Sequence, residues 1–205
     1  MFKIIFLTYS LITPYYNNKN IHNFGNTGIG GKLHAEFAPY ATKLIDNTRY
    51  NSINIRKEII SKYKNKKILD FCCGIGESTT YNGIGIDTSK EMLTVAKRRN
   101  KNTQFYNANA EYFNTKQHID IVTCMFALHE IPYFAQKNII NNAIRIAKEK
   151  VIFVDISPNY IPSKIMLSGE PYLIEYLENI NLLLKNFEKK ELIKNHVTIW
   201  HLNKY

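Results

Sequence analysis

The sequence predicts an α/β fold: a mostly parallel, doubly wound sheet with helices on both faces, in three α/β/α layers. Three observations carry the prediction. Short apolar runs of strand length recur through the middle of the chain, at residues 68–71, 83–87, 119–125 and 151–156. Helical patterns lie between them, at 91–99 and at 134–147, where Ile139, Ile140, Ala143, Ile144 and Ala147 share one face. The first run ends in an acid followed by a glycine turn, as strands that feed a ligand site do. Strand–helix–strand alternation implies parallel pairing, because the helix returns the chain to the end of the sheet from which it started.

Before the sheet, residues 1–13 are apolar with a single lysine, Lys3. The stretch is short for a targeting segment and lacks an Ala-x-Ala cleavage site, so it is expected to pack on the domain, with targeting as the alternative. Residues 14–31 are rich in Asn, Gly and Tyr and predict an irregular segment. There Gly25, Gly28, Gly30 and Gly31 would bend the chain or let another group approach its backbone. Leu33, Phe37, Tyr40, Ala41, Leu44 and Ile45 recur at helical spacing around a kink at Pro39, and Ile55, Ile59, Ile60 and Tyr63 make a second apolar stripe. Past the run at 151–156 comes a segment with Pro162, Met166, Gly169 and Pro171. An amphipathic helix follows, its apolar face formed by Leu173, Tyr176, Leu177, Ile180, Leu184 and Phe187. Residues 196–202 predict a last strand. No repeat or linker divides the chain. It is expected to form one structural domain, with an N-terminal segment and lid helix over 1–50 and a sheet domain over 51–205. That domain would carry a lid insert at about 157–187.

Composition narrows the functional classes. A chain of 205 residues, 45% hydrophobic and 21% charged, can bury one proper core and is neither disordered nor fibrous. No run approaches the roughly 18 apolar residues of a membrane span. Three cysteines, two of them adjacent, cannot build a disulfide framework and point to a reducing, cytoplasmic setting. Lys and Arg outnumber Asp and Glu by 27 to 17, a formal net charge of +10 that invites a polyanionic partner such as nucleic acid. The chain is, however, flooded with Asn, Ile, Lys, Tyr and Phe alike. Such uniform drift raises lysine without a binding role, and the lysines are spread.

The chemistry concentrates at ILDFCCGIGEST, residues 68–79. An apolar strand ends in Asp70, turns through Gly74 and Gly76 and enters a helix start; glycines at such a place let the backbone touch a ligand. The next strand, GIGID, ends in Asp87, where a carboxylate accepts both hydroxyls of a ribose. Thr88, Ser89, Lys90 and Glu91 form a capping box beside it. Thr79 breaks the Gly-x-Gly-x-x-Gly of dinucleotide sites. Adjacent Cys72 and Cys73 suit packing better than chelation, and no metal is expected.

With NANAEYF and IDIVTCMFALHEIP following in order, residues 56–156 resemble the class I S-adenosylmethionine-dependent methyltransferases. The HEIP stretch is most similar to small-molecule members such as the ubiquinone/menaquinone biosynthesis C-methyltransferases. The resemblance implies a Rossmann-like sheet of about seven strands. It also implies S-adenosyl-L-methionine as cofactor, released as S-adenosyl-L-homocysteine. It places the methionine part against Asp70 and the backbone around Cys72, Gly74 and Gly76. It gives the ribose to Asp87, the adenosine flanks to Thr88 and Met92, and the adenine to Asn109 and Ala110, with Asn109 standing where an aspartate is more usual. Cys124, Met125 and Phe126 would line the cleft from the fourth strand. Cys72 replaces the first glycine of the family's turn. Only residues 72–82 separate the first two strands, so the first helix is expected to span a turn or two, with the Gly-rich N-terminal segment covering what it leaves open.

Methyl transfer is chiefly a positioning task, and a base is needed only where the nucleophile must lose a proton. His129 is the leading candidate, because an imidazole of pKa about 6.5 accepts a proton at neutral pH. Glu130, His34 and Tyr172 follow. The expected function is methyl transfer to a small, partly apolar acceptor. An RNA or other nucleic-acid methyltransferase and a non-catalytic cofactor-binding module are the alternatives. Ala127, Leu128, His129 and Glu130 stand where amino-methylating nucleic-acid enzymes carry Asn/Asp-Pro-Pro-Tyr, which disfavours the first of these.

Overall fold

A computed structural model describes residues 20–204 together with Tyr15 and Asn18. Residues 1–13, expected to pack on the domain or to act as a targeting segment, lie outside the described residues. Seven strands form one sheet: β1 (Ile68–Phe71), β2 (Ile84–Asp87), β3 (Gln104–Asn107), β4 (Ile121–Met125), β5 (Lys150–Ile156), β6 (Glu188–Ile193) and β7 (Val197–Asn203). Their order is β3-β2-β1-β4-β5-β7-β6. Neighbours pair in parallel from β3 to β5, and β7 runs antiparallel to both β5 and β6. The two edge strands are absent from the apolar runs of the sequence for a physical reason. β6 reads EKKELI and is largely exposed, and charge on an open edge discourages pairing with other chains.

Side chains alternate along each central strand and so build two cores. Leu69, Phe71, Ile84, Ile86, Val122 and Phe153 face α4 (Tyr133–Ile146) and α6 (Leu173–Leu183), with Trp200 and Tyr176. Ile68, Ile121, Ile152 and Val154 face α2 (Ile55–Ser61) on the opposite side. Each of these aliphatic side chains is essentially fully buried, a contribution of about 1.5–3 kcal/mol apiece.

Three local expectations are corrected. No helix forms between β1 and β2. Asp70 is fully buried and accepts hydrogen bonds from Ser78 Oγ (2.8 Å), Thr79 Oγ1 (2.7 Å) and Thr123 Oγ1 (2.8 Å). These bonds draw the segment back under the strand end as a series of turns. The cap of α3 (Lys90–Arg99) is Ser89, whose Oγ accepts from Met92 N, rather than Thr88. Glu91 is then free to accept from Gly28 N at 2.9 Å, the first amide of α1 (Gly28–Arg49). That helix begins inside the stretch expected to be irregular. A Cβ at Gly30 would lie 1.8 Å from the Phe24 carbonyl oxygen, so glycine lets the preceding loop lie on the first turn.

The apolar stripe of α1 also behaves unexpectedly. Leu33, Phe37, Tyr40 and Leu44 point outward, Tyr40 with 74% exposure, which excludes core packing for that ring. The helix packs through its small residues instead: Gly31 and Ala35 are buried, and Ala35 and Ala38 sit against Ile75, Val95 and Met92. Small side chains let two backbones approach, and that outweighed the larger apolar face. The tail insert yields α5 (Lys164–Gly169) and then α6, which ends at Leu183 rather than running to Phe187.

Candidate active site

β1 and β4 are neighbours, but the chain leaves β1 in one direction along the sheet and returns beyond it in the other. The strand order therefore reverses between them, and ligands bind outside the carboxyl ends of such strands. A cleft of about 550 Å³ opens there. Of the residues expected at the site, Cys72, Gly74, Asp87, Thr88, Met92, Asn109, Ala110 and Phe126 line it, as do His34, His129 and Glu130. Asp70, Gly76 and Tyr172 do not. Asp70 is consumed by its three hydroxyl donors behind the strand. Gly76 serves packing: at φ +79°, its Cβ would sit 2.7 Å from Phe105 Cζ and 2.9 Å from Asn100 Nδ2. The Tyr172 hydroxyl accepts from Asn18 Nδ2 at 3.3 Å, outside the cleft lining.

At the tip of β2 the Asp87 carboxylate is held from two directions. Oδ2 accepts from Gly74 N and Oδ1 from Ser89 N, each at 2.8 Å. Burial nevertheless lifts its pKa to about 6. Each oxygen keeps a further lone pair for a ligand. Gly74 has φ +52°, and nothing lies within 4 Å of where a Cβ would stand, so backbone faces open cleft. Cys72 adopts φ +52° as well, a left-handed conformation that costs a side-chain-bearing residue roughly 1–2 kcal/mol. Asn109 is less available than expected: Oδ1 accepts from Glu111 N at 2.8 Å and Nδ2 donates to Glu111 Oε1 at 3.1 Å. Phe126, at φ +56°, presents its ring beneath the Arg56 guanidinium, 4.3 Å away.

The family model described as a methyltransferase domain matches residues 68–150. Over those residues the chain carries a methyltransferase domain. Among curated proteins none matches it. Similar solved structures include magnesium protoporphyrin IX methyltransferase (ChlM) from Synechocystis PCC 6803 with bound SAH, at 14% identity and TM-score 0.56 over 93% of this chain and 96% of that one. The plantazolicin methyltransferase BpumL in complex with SAH is similar at 14% identity and TM-score 0.60, over 85% and 91%. An S-adenosylmethionine-dependent methyltransferase from Clostridium acetobutylicum ATCC 824 matches at 21% identity and TM-score 0.48, over 60% of this chain; the chain spans 58% of that protein's length. At these identities the likeness to the first two establishes the fold.

Above the cleft of the methyltransferase domain lies an acid–base cluster of which the sequence disclosed only part. His129 Nδ1 meets Asp155 Oδ1 at 2.5 Å, and Asp155 Oδ2 accepts from Leu128 N at 2.8 Å. Burial alone would lower the His129 pKa, but the charge and hydrogen bond of Asp155 outweigh it and raise it to about 9. With Nδ1 bound by Asp155 and its charged form favoured, the ring is better suited to hold charge than to take a proton, which weighs against its acting as the base. His22 bridges two carboxylates, with Nε2 at 3.0 Å from Glu130 Oε1 and Nδ1 at 2.9 Å from Glu170 Oε1. Burial opposes its charge, yet the two acids hold its pKa at about 11. Glu130 is pushed up by burial and more strongly down by His22, to about 2. His34 packs its ring 4.3 Å from that of His22, and burial lowers its pKa to about 4. His22 carried no motif that could have singled it out. Glu170 stood out only as part of the turn from Gly169 to Tyr172, which could either close over a substrate or cap the helix. Asp155, at the end of an apolar run like Asp70 and Asp87, was findable by that rule.

The residues fit the cofactor: an open backbone cradle at Gly74 and a paired, still receptive carboxylate at Asp87 suit a nucleoside with an amino-acid tail. Among the described residues no group of His, Cys, Asp and Glu is arranged to hold a metal ion, and no helix is long and apolar enough to cross a membrane.

Proposed function

We propose that this domain transfers the methyl group of S-adenosyl-L-methionine to a small, partly apolar molecule held in the cleft. The observation that carries the reading is Asp87, which lines the cleft at the switch point and is fixed there by the Gly74 and Ser89 amides, with a lone pair to spare on each oxygen. Those lone pairs are placed for the two ribose hydroxyls, with Thr88 and Met92 alongside. The backbone at residues 72–74 would hold the amino-acid tail. With the Asn109 amide engaged by Glu111, the adenine rests on Ala110 and its neighbours. When bound, the cofactor supplies a methyl group on a sulfonium, already a good electrophile, so the protein need only hold a nucleophile in line and keep water out.

The small-acceptor reading rests on the roof. Ile21, Asn26 and His34 from the N-terminal segment and Met166 from the insert line the cleft, which supports reading the two segments as lids. Ser89 Oγ donates to the Asn26 carbonyl at 2.9 Å and ties the first lid beside Asp87. Among the described residues no lysine lines the cleft, whose basic side chains besides histidine are Arg49 and Arg56, so the +10 charge is not focused there. Two solved neighbours are named as methyltransferases of magnesium protoporphyrin IX and of plantazolicin, which supports the same reading. Calorimetry with S-adenosyl-L-homocysteine and NAD side by side tests it: tight binding of the first alone is expected. Failure of S-adenosyl-L-homocysteine to bind, or its loss of affinity to RNA competition, overturns it.

A further inference from the structure

We propose that the half of the cleft over β4, β5 and β7 takes a methyl acceptor that is an aromatic carboxylate, its ring laid against a row of aromatic side chains and its carboxylate held by Arg56 with help from Arg49. This rests on the methyl-transfer reading above and names the class of its second substrate.

The sheet order divides the cleft. Gly74, Asp87 and Ala110 stand at the tips of β1, β2 and β3, so the cofactor reading fills that side. The rest of the opening lies over β4, β5 and the start of β7. Phe126, Tyr160 and His196 line it there, with Arg49 and Tyr50 from the end of α1 and Arg56 from α2. Neighbouring strands lie about 4.8 Å apart, which sets the tip of β5 roughly 14 Å from that of β2 and leaves room for a second molecule beside the first. The walls of this half are rings. Tyr50 stacks on Phe126 with centroids 6.3 Å and planes 22° apart, and His196 meets Tyr50 at 5.7 Å and Tyr160 at 4.9 Å. Faces of that kind favour a flat apolar ring.

The charge of this half is positive. Arg49 is exposed and Arg56 half-buried, so both can be reached from the cleft, and among the described residues neither side chain makes a hydrogen bond or an ion pair. Each guanidinium carries five N–H donors in a fork that matches a carboxylate. The acids within electrostatic reach of Arg56 are otherwise placed. Asp46 does not line the cleft, Asp70 is walled in by its three hydroxyl donors, and Glu77 is engaged by Arg99 at 3.2 Å. Burial and the Arg49 charge lower the His196 pKa, so that ring is uncharged at neutral pH. Two guanidiniums facing one lobe favour an anion and repel a cation. Arg56 is the stronger anchor: its guanidinium rests 4.3 Å from the Phe126 centroid, which orients the fork before a ligand arrives. Phe126 supports it from φ +56°, an unfavourable backbone for an aromatic residue. In the cofactor reading the amino-acid tail rests on the backbone at residues 72–74, which leaves both guanidiniums to the acceptor.

The test uses the full chain saturated with S-adenosyl-L-homocysteine and probes in matched pairs: salicylate with salicylamide, anthranilate with anthranilamide, and vanillate with vanillamide. Tyramine serves as a cation and lactate as an acid without a ring. By calorimetry at least one aromatic acid is expected to bind about tenfold or more tightly than its amide, and more tightly than tyramine or lactate. R56Q should lose about tenfold in affinity for that acid while its amide stays within about twofold, and R56K, which keeps the charge without the fork, should recover only part of the loss. R49Q should lose about threefold. Three results would overturn the proposal in the wild-type protein: no acid better than its amide, tyramine bound best, or lactate bound as well as the aromatic acids. Equal acid binding by wild type and R56Q would overturn it too. An Arg56 that holds the cofactor's own carboxylate would show as R56Q weakening S-adenosyl-L-homocysteine but not methylthioadenosine, which lacks the amino-acid tail, and the proposal would then fall. Failure of the underlying reading looks different: the wild-type protein would not bind S-adenosyl-L-homocysteine at all.

Discussion

Between pH 6 and 9 one buried pair should cost this protein a measurable part of its stability. In the folded chain His129 titrates near 9, against 6.5 for a free imidazole, because Asp155 holds its Nδ1 at 2.5 Å. A histidine whose pKa is raised on folding stabilises fully below its unfolded pKa and loses that contribution as pH rises through the folded value. Linkage with these two values gives on the order of 3 kcal/mol at pH 6, about 2 at pH 7.5 and under about 0.5 at pH 9. The perturbation is His129→Gln, which cannot titrate. Urea midpoints for both proteins at the three pH values, with m-values checked for constancy, isolate the effect. Titrating groups that do not feel the His129 charge are common to both and cancel in the difference, while Glu130, which does, adds a smaller change of its own. The stability gap between wild type and variant should shrink by about 2–3 kcal/mol from pH 6 to pH 9. A gap that stays constant or widens would refute a charged His129 in the folded state.

Three further outcomes follow from other positions. Asp87 must be ionised to accept two hydroxyls, and with a pKa of about 6 the affinity for S-adenosyl-L-homocysteine should fall about tenfold from pH 7 to pH 5, a dependence that calorimetry should find abolished in Asp87→Asn. Gly76→Ala should cost about 2–4 kcal/mol by urea denaturation, since the new methyl meets Phe105 at 2.7 Å; Gly74→Ala, which meets nothing, should cost nearer 1 kcal/mol yet weaken cofactor binding measurably. Removal of residues 1–31 takes away His22, Asn26 and the first turn of α1, and S-adenosyl-L-homocysteine affinity should drop at least about tenfold while circular dichroism still reports the sheet.

Much of this architecture was legible because central parallel strands are buried on both faces and so appear as unbroken apolar runs. β1, β2, β4 and β5 all announced themselves that way, and two of the three acids that end such runs, Asp70 and Asp87, stood out at once. What those acids do was less legible. Asp70 and Asp87 look alike in sequence, and only the positions of Ser78, Thr79 and Thr123 decide that one is walled in and the other faces the cleft. The edge strands β3 and β6 escaped because exposure removes the signal. The exposed stripe of α1 misled for the opposite reason: periodicity marks a face without saying which face a neighbour will choose. His22, Glu170 and His34 meet only through long-range packing of the N-terminal turn on the insert, and no local pattern encodes that meeting.

Cysteine at position 72 keeps a backbone shape suited to glycine, and the codons for the two amino acids differ by a single base. A library selected for thermal tolerance would find glycine there within easy mutational reach, with no second substitution needed to accommodate it. The turn holds its shape with cysteine in that place because Gly74 and Gly76 beside it still take the positive φ angles it requires.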